Sequence, residues 1–440
     1  MKTTDLAVLQ NLDLHAITTD KFKTNVVSVK FIKPINKKNA SLLSLLSRVI
    51  KRGCEKYPTI AALSSESQRL YALVPQIRTF KSGSCLILEF SVDYLDSGFA
   101  PDDCDIEGGA FDILEQLIFH PLLSDGTFKE EYVVSEKAMQ IDLIKSRKNN
   151  KSVYALKRMM QEMMQNDYRC VDALGDTEIL KDITKENLTA AYFDLIKNSL
   201  ASVYFVGRTD PQVIKDRIYK IFSGRVPHSD IDTGTKAFSG TGTGIKEITE
   251  SAPVRQGKLC IGFTLGKTLT DGSFVPFDVM NELYGGGIQS KLFCNIREKM
   301  SLCYYCSSAL FSATGIMAVS SGIECGKKDT VCKAIFAELE KIKNGEFSDE
   351  ELYFAKLSLI NTVKESFDSA LALENTYFLC NLYSKSLDLD IRVKNIQNVT
   401  RNDVIYAAKC TKPDTVFFLK SDGEDDCDGN GEVLSDEQME

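Results

Sequence analysis

The chain is poor in histidine, with three among its 440 residues. His228 lies in a stretch rich in Gly, Ser and Thr, His120 precedes a proline, and His15 stands alone near the first predicted strand. A catalytic zinc normally takes three protein ligands, and no histidine here belongs to an HExxH or HxxEH motif. A GxSxG elbow is also missing, and no cysteine has an obvious histidine partner. The sequence therefore shows no complete machinery for hydrolysis.

The chain also has no excess of basic residues: it contains 53 lysines and arginines against 61 aspartates and glutamates, for a net charge of −8. This composition gives no indication of a nucleic-acid-binding protein. No apolar run is long enough to cross a bilayer, and the opening MKTTDLAVLQNLDL carries acidic residues where the apolar core of a signal peptide would lie. We therefore expect a cytoplasmic protein.

The 13 cysteines are best explained as reduced thiols, since a reducing compartment does not sustain disulfides. Cys303 and Cys306 form the one close pair, in LCYYCSS. This run predicts a strand, in which the two thiols would point to opposite faces. The pattern thus favours two structural cysteines over a redox or metal-binding pair.

The two halves of the chain echo one another. In the first half, a predicted strand, NVVSVKFI (25–32), precedes an amphipathic helix. In the second half, LCIGFTL (259–265) precedes the predicted helix VPFDVMNELY in the same way. Each half then continues with paired strands and helices. Each half ends in a helix and a last strand, with Thr184 and Thr400 as predicted N-caps. The pattern predicts an α+β fold of two similar domains, each a sheet of about five strands covered by helices on one face.

Composition predicts the domain boundaries. The first domain covers residues 1–225 and the second covers 248–422. The segment 226–247 is rich in Gly, Ser and Thr, which predicts a flexible linker. The end, 423–440, is acidic and poor in apolar residues, which predicts a disordered tail. Two similar domains on a long linker predict a clamshell.

The stretch SLLSLLSRVIKRGCEKYPT (41–59) predicts an amphipathic helix. Its apolar stripe consists of Leu42, Leu45, Leu46, Val49 and Ile50. Ser44, Ser47 and Arg48 recur at i, i+3 and i+4 on the opposite side, a spacing at which a helix presents three metal ligands. None of the three residue types binds zinc well.

The stretch YGGGIQSKLFCNIREKMSLCYY (284–305) is the most distinctive of the second half. Its three glycines permit left-handed backbone and close approach of a neighbour. Arg297 follows in a predicted helix, and Tyr304 comes seven residues later near the start of a strand. Both side chains can hydrogen-bond a peptide carbonyl, although the pattern alone favours a surface arginine and a packed tyrosine.

From about residue 5 to 420, the chain resembles the M16 (pitrilysin, insulinase-like) peptidase family, whose repeated LuxS/MPP-like domains surround a chamber for short or unfolded peptides. The family carries HxxEH before a segment similar to KRGCEKYPT. The resemblance places Ser44 at the first zinc histidine, Ser47 at the glutamate base and Arg48 at the second histidine. It places Leu143, in SEKAMQIDLI, at the glutamate that is the last ligand. It therefore implies no zinc, no other cofactor and no catalytic residue in this chain.

The second half keeps the family motif GGGxxS[RK]LF…REKxxLxY, and the resemblance implies that Arg297 and Tyr304 bind the substrate backbone. The likeness is closest to the bacterial YmfF-like branch, whose members lack zinc ligands and are thought to work beside a zinc-bearing relative. We therefore expect a catalytically inactive, substrate-positioning subunit of a heterodimer whose active M16 partner carries HxxEH and the zinc.

Two alternatives stay open at this stage. One is a peptide-binding or scaffolding protein without a proteolytic role, and the other is an active zinc metallopeptidase with unrecognised ligands. The sequence also leaves open whether the isolated chain forms a homodimer, which substrate is bound and in which pathway.

Overall fold

The fold was analysed in a computed structural model of the chain. The structure describes residues 1–101, 103–165, 167–229, 231–242 and 244–422. The predicted disordered tail at 423–440 lies outside the described residues. Within the described part of the chain, no helix is both long enough and apolar enough to cross a membrane. Two large sheets with packed helices make up the fold, and the α+β prediction is confirmed.

The first half contributes one large sheet. Its strands are β1 (Lys2–Leu9), β2 (Leu12–Thr18), β3 (Thr24–Pro34), β4 (Val74–Ser82), β5 (Cys85–Leu95), β6 (Leu123–Ser124), β7 (Thr127–Phe128) and β8 (Leu200–Gly207). All but the small β6–β7 hairpin join a six-stranded sheet of order β1-β2-β8-β3-β5-β4. Neighbouring strands are antiparallel except β2 and β8, which run parallel.

The second half repeats this arrangement. Its strands are β9 (Lys246–Ala252), β10 (Gly257–Thr264), β11 (Cys303–Phe311), β12 (Ile316–Ile323) and β13 (Lys412–Ser421). They form a five-stranded sheet of order β11-β12-β10-β13-β9, parallel only between β13 and β9. Without β1, the first sheet has the same order. The first sheet has one strand more than expected because the chain turns back at Asn11, whose φ is 67°, and pairs β1 with β2.

Helices fill the segments between strands. In the first half they are α1 (Lys37–Ile50), α2 (Ile60–Arg69), α3 (Ile106–Phe119), α4 (Glu130–Ser146), α5 (Lys151–Met163), α6 (Thr177–Lys181), α7 (Lys185–Lys197) and α8 (Pro211–Phe222). In the second half they are α9 (Val275–Asn281), α10 (Lys328–Lys343), α11 (Asp349–Glu365), α12 (Ala370–Leu382), α13 (Leu389–Gln397) and α14 (Arg401–Cys410). Thr184 and Thr400 form capping boxes at the start of α7 and α14, which confirms both predicted N-caps.

Each sheet is covered on both faces, and the second face is covered by a helix from the other half. Helix α12 packs through Leu373, Tyr377 and Phe378 on the first sheet. Helix α5 packs through Met159 and Met163 on the second sheet. The expectation of helices on one face only was therefore wrong. The central strand β3 is accordingly buried almost without interruption, which is typical of a strand covered on both faces.

A buried charge cluster ties α12 to the first sheet. The side chains of Lys30, Glu89 and Glu374 have no exposed surface. Lys30 Nζ lies 2.8 Å from Glu374 Oε1 and also pairs with Glu89, to which Arg78 Nε donates at 2.7 Å. Burial disfavours the charged form of Glu89, yet Lys30 and Arg78 hold its pKa below its ordinary value. Removing one member would leave a buried charge uncompensated, which would disfavour the packing of α12 on the first sheet.

The described residues of 226–247, the predicted linker, contact both halves. Ser84 Oγ donates to the Gly234 carbonyl oxygen at 3.2 Å, and the Thr241 N–H donates to Asp414 Oδ2 at 2.7 Å. The segment therefore lies along the molecule rather than spanning open solvent. The domain boundaries themselves stay a prediction.

Candidate functional site

The first candidate site lies on α1, whose start is capped by Asn36. Its predicted apolar stripe is buried, which fixes the helix against the core. Ser44 and Ser47 are only 3% and 6% exposed. Ser47 Oγ donates to the Ser44 carbonyl oxygen at 2.8 Å, so this hydroxyl is used within its own helix.

Arg48 faces α4, where it pairs with Glu136. Its Nε lies 3.0 Å from Glu136 Oε2, while Arg52 Nε donates to the other carboxylate oxygen at 2.6 Å. Glu136 is buried, and each arginine side chain is 28% exposed. Burial, together with the charge of Arg48, lowers the pKa of the adjacent Lys51. We call Arg48, Arg52 and Glu136 the arginine clamp.

Leu143 lies two helical turns after Glu136 on the same face of α4, and it is 40% exposed. Two serine hydroxyls, a guanidinium and a leucine do not fit a zinc ion, which takes imidazole, carboxylate or thiolate ligands. Among the residues that the structure describes, no cluster of three or more His, Cys, Asp or Glu is arranged to hold a metal. Ser44, Ser47, Arg48 and Leu143 therefore do not provide the donor set of a zinc site.

The second candidate site follows the glycine-rich stretch of the second half. There the chain forms two π-helical segments, Glu282–Gly286 and Leu292–Lys299, an uncommon geometry that is frequent at functional sites. A Cβ on Gly285 would lie 2.7 Å from Ser308 Oγ and 2.8 Å from its backbone N, so glycine permits close packing on β11. None of the three consecutive glycines has a positive φ, so the expected left-handed backbone is not used.

Arg297 and Tyr304 both face solvent, beside an edge strand. Arg297 lies on the second π-helical segment, with its side chain 42% exposed and its guanidinium 4.7 Å from the centre of the Phe293 ring. Tyr304 is 53% exposed. It is the extra residue of a β-bulge, since Cys303 pairs with Ile323 and Tyr305 pairs with Gly322. A bulge re-aims a side chain, and this one turns a phenol outward at the start of β11.

A third feature is an open cleft of about 1040 Å³ between the two halves, where the predicted clamshell would have its inner faces. Its lining includes Val153 and Leu156 from α5 and Val363 from α11. Basic groups also line it: Lys81 Nζ, for example, donates to two backbone carbonyl oxygens of the 169–171 turn, at 3.0 and 2.9 Å. None of the six predicted site residues lines this cleft.

One acid of the cleft has an unusual titration. Burial raises the pKa of Asp278 from 3.8 to about 7, although Lys385 and Arg392 act in the opposite direction. Another acid, Asp172, behaves differently: burial raises its pKa, but the hydrogen bond from Lys157 and other interactions leave it below its ordinary value. The cleft therefore combines apolar walls with basic side chains and with two carboxyl groups whose pKa values are shifted in opposite directions.

Comparison with known proteins places this geometry in a family. The model of the family described as Peptidase M16 inactive domain matches residues 182–359. The "Probable inactive metalloprotease YmfF" of Bacillus subtilis (strain 168) is 30% identical over 415 residues, which cover 93% of this chain and 96% of that protein.

Solved structures agree on the fold. The crystal structure of a conserved protein from Enterococcus faecalis V583 matches with a TM-score of 0.89 and 25% identity, over 96% of this chain and 100% of that chain. That of a peptidase M16 inactive domain from Pseudomonas fluorescens matches with a TM-score of 0.79 at 14% identity, over 96% of this chain and 98% of that chain.

Two repeated α+β halves with this strand order, and relatives of this similarity, define a protein of the M16 peptidase family; the chain belongs to it. Within the family it is an inactive homologue, similar over nearly its whole length to YmfF.

Sequence reasoning missed Glu136, the centre of the arginine clamp. No local signal marks it, because Glu136 lies 84 residues from Arg52 in sequence and only packing of α1 on α4 brings them together. The sequence did contain one indication, the pair Arg48 and Arg52 at a spacing of four residues. Two like charges at this spacing repel each other, which favours an acidic residue between them.

Proposed function

We propose that this protein is the non-catalytic subunit of a heterodimeric zinc peptidase, and that an active M16 partner supplies HxxEH and the metal. The observation that carries the proposal is a contrast between two sites. At the positions that the family resemblance assigns to the metal, Arg48 pairs with Glu136, whereas the side chains of Arg297 and Tyr304 are exposed beside the edge strand β11. The guanidinium and the phenol are therefore accessible to a peptide.

In this proposal, Arg297 and Tyr304 bind the substrate backbone beside the partner's metal. A guanidinium and a phenol are hydrogen-bond donors suited to a peptide carbonyl. Donors that stand ready where negative charge develops on the carbonyl oxygen stabilise the transition state without reorganising. The chain thus contributes orientation and charge stabilisation, and the partner contributes the chemistry.

The test begins with the partner. A pull-down with this chain from its native host, followed by mass spectrometry, should recover a protein with HxxEH. Peptide hydrolysis by the purified pair is then measured for Arg297→Ala and Tyr304→Phe. We expect each to lower kcat/KM about tenfold or more, since single oxyanion donors contribute roughly 10²–10³ in other hydrolases.

Tyr353→Phe is the matched control, because Tyr353 is a 60% exposed tyrosine on α11. Gel filtration verifies that each variant still forms the complex. Wild-type rates from an intact complex carrying both Arg297→Ala and Tyr304→Phe would reduce this chain to a scaffold, and recovery of no HxxEH protein would refute the heterodimer.

The cleft between the halves favours a second candidate, a peptide-binding protein without a proteolytic role. Its volume of about 1040 Å³ is at the upper end of ordinary ligand pockets. Val153→Glu, which places a charge on the cleft wall, should then abolish peptide binding by the isolated chain. Val134→Glu is the control, since Val134 is similarly exposed on α4 and does not line the cleft. Equal peptide binding by both variants would contradict this candidate.

The cytoplasmic location belongs to the same proposal, and cell fractionation tests it. Elemental analysis separates the proposal from an active zinc peptidase with unrecognised ligands. We expect no stoichiometric zinc after dialysis, because the first-half positions offer no imidazole or carboxylate. Gel filtration of the isolated chain shows whether it self-associates without its partner.

A further inference from the structure

The bulge at the start of β11 brings Cys303 and Cys306 to the same face of the second sheet. Cys303 pairs with Ile323 and Cys306 with Ser321, two residues that lie on one face of β12. Both cysteines accordingly pack against the core of the second half. The expectation that the two thiols point to opposite faces was wrong, because the inserted Tyr304 shifts the alternation by one residue.

The same register sets their separation. Their partners on β12 are two residues apart, which sets the two Cα atoms about 6–7 Å apart along the strand, at the upper end of the Cα–Cα range of disulfides, about 4.4–6.8 Å. Tyr305 provides an internal check, because it points to the opposite face, where its hydroxyl lies 3.0 Å from Ser152 Oγ on α5. The two thiols also interact with one another through a side-chain hydrogen bond.

The two thiols differ as an attacking and a resolving thiol do. Hydrogen bonding from the Cys306 thiol, helped by Ser321 and by the charge of Arg297, outweighs burial and lowers the pKa of Cys303 to about 7. The contact with Cys303, together with burial, raises the pKa of Cys306. Cys303 is half-buried and Cys306 is buried, so only the first is open to a reagent.

We propose that Cys303 and Cys306 form a reversible dithiol–disulfide site, oxidised by low-molecular-weight disulfides. The Cys303 thiolate attacks the disulfide RSSR, forming a mixed disulfide and releasing RS⁻. The Cys306 thiol then loses its proton and attacks the Cys303 sulfur, which forms the internal disulfide and releases the second RS⁻. Two electrons pass from the two cysteines to RSSR, which leaves as two thiols.

The test treats the full chain with oxidised glutathione, alkylates the remaining thiols and maps the tryptic peptide 300–327 by mass spectrometry. This peptide contains Cys303, Cys306 and also Cys325, which serves as the internal control. We expect the peptide to lose two hydrogens and to carry one alkyl group, on Cys325. Three alkyl groups after oxidation would overturn the proposal.

Single variants assign the roles. Cys306→Ser should accumulate a stable mixed disulfide on Cys303, and Cys303→Ser should stay fully reduced. Cys325→Ser should form the internal disulfide as the wild-type chain does. A stable mixed disulfide on Cys303 of the wild-type chain, or oxidation of Cys306 in Cys303→Ser, would contradict these roles.

A second measurement needs no variant. The alkylation rate of Cys303 should rise with pH to a half-maximum at about 7, whereas that of Cys332, whose pKa burial raises to about 11, should rise far later. The groups that set the first value are Cys306 and Ser321, which face Cys303 from the sheet, and Arg297 from the π-helical segment. A half-maximum for Cys303 that coincides with that of Cys332 would overturn the assignment of Cys303 as the attacking thiol.

A consequence for peptide hydrolysis rests on the proposed function. Because Tyr304 lies between the two cysteines and Arg297 loses a thiolate neighbour on oxidation, the disulfide should change kcat/KM of the reconstituted pair. The same oxidation should leave the activity of a pair carrying Cys303→Ser and Cys306→Ser unchanged. If the disulfide forms without any effect on hydrolysis, only this consequence is refuted, because mass spectrometry detects the disulfide independently of activity.

Discussion

The two halves of this chain share one topology but differ in what their former or retained site residues do. In the first half, Arg48 and Arg52 both pair with the single buried carboxylate of Glu136. In the second half, the side chains of Arg297 and Tyr304 are exposed beside an edge strand. The first group of side chains is engaged within the structure, while the second is exposed to solvent.

The difference teaches that the packing of a helix and the chemistry of its polar face can be set separately. Helix α1 is held against the core by its apolar stripe, so its packing does not depend on a metal ion. The buried carboxylate of Glu136 still needs cationic partners, and the two arginines provide them. No comparable constraint acts on exposed side chains such as Tyr304.

The largest change we expect is the return of metal binding. Ser44→His, Ser47→Glu, Arg48→His and Leu143→Glu together recreate the family's donor set, and isothermal titration should then detect one zinc per chain where the parent binds none. Binding should be weak, since missing supporting contacts cost about 10–100-fold in affinity. The matched control keeps Leu143, and should bind zinc more weakly than the full set. Absence of binding in a folded full set would refute the assignment of these positions.

Removing the centre of the clamp should have the largest effect on stability. Glu136→Ala leaves two guanidinium groups facing each other, and hydrogen bonds to charged groups contribute about 1.5–3 kcal/mol, so we expect a loss of about 2–3 kcal/mol in the free energy of unfolding. Urea denaturation measures it, with Asp142→Asn, an exposed acid on the same helix, as the control. Equal stability of the two variants would mean that the clamp does not stabilise the fold.

Replacing one arginine in each half by alanine compares their contributions to the free energy of unfolding. Arg48→Ala should cost about 1 kcal/mol, because Arg52 still pairs with Glu136 and the lost pair is partly exposed. Arg297→Ala should stay within about 0.5 kcal/mol of the parent, as exposed substitutions usually do. The reverse order of stabilities would show that the second-half arginine is structural.

The last comparison concerns the pH dependence of a carboxylate without such a clamp. The pKa of Asp278 is raised by burial from 3.8 to about 7, so the stability that its neutral form contributes is complete below pH 3.8 and is lost as pH rises through about 7. Unfolding free energies should therefore fall from pH 4 to 8 more steeply for the parent chain than for Asp278→Asn. Asp390→Asn, an exposed acid on α13, is the control and should follow the parent.

The sequence by itself determined the repeat, the α+β class and the capping boxes at Thr184 and Thr400, because hydrophobic periodicity and cap chemistry are local. The resemblance to the M16 family added the assignment of Ser44, Ser47, Arg48 and Leu143 to the family's metal positions and of Arg297 and Tyr304 to substrate binding. These assignments stay predictions.

Only the tertiary structure decided the rest. The pairing of Arg48 with Glu136, the exchange of α5 and α12 between the halves, and the cleft all join residues far apart in the chain. The bulge that turns Cys303 and Cys306 to one face depends on how β11 pairs with β12. The alternation of side chains along β11 alone does not predict it. Local pattern sets which element forms, whereas long-range packing sets which side chains meet.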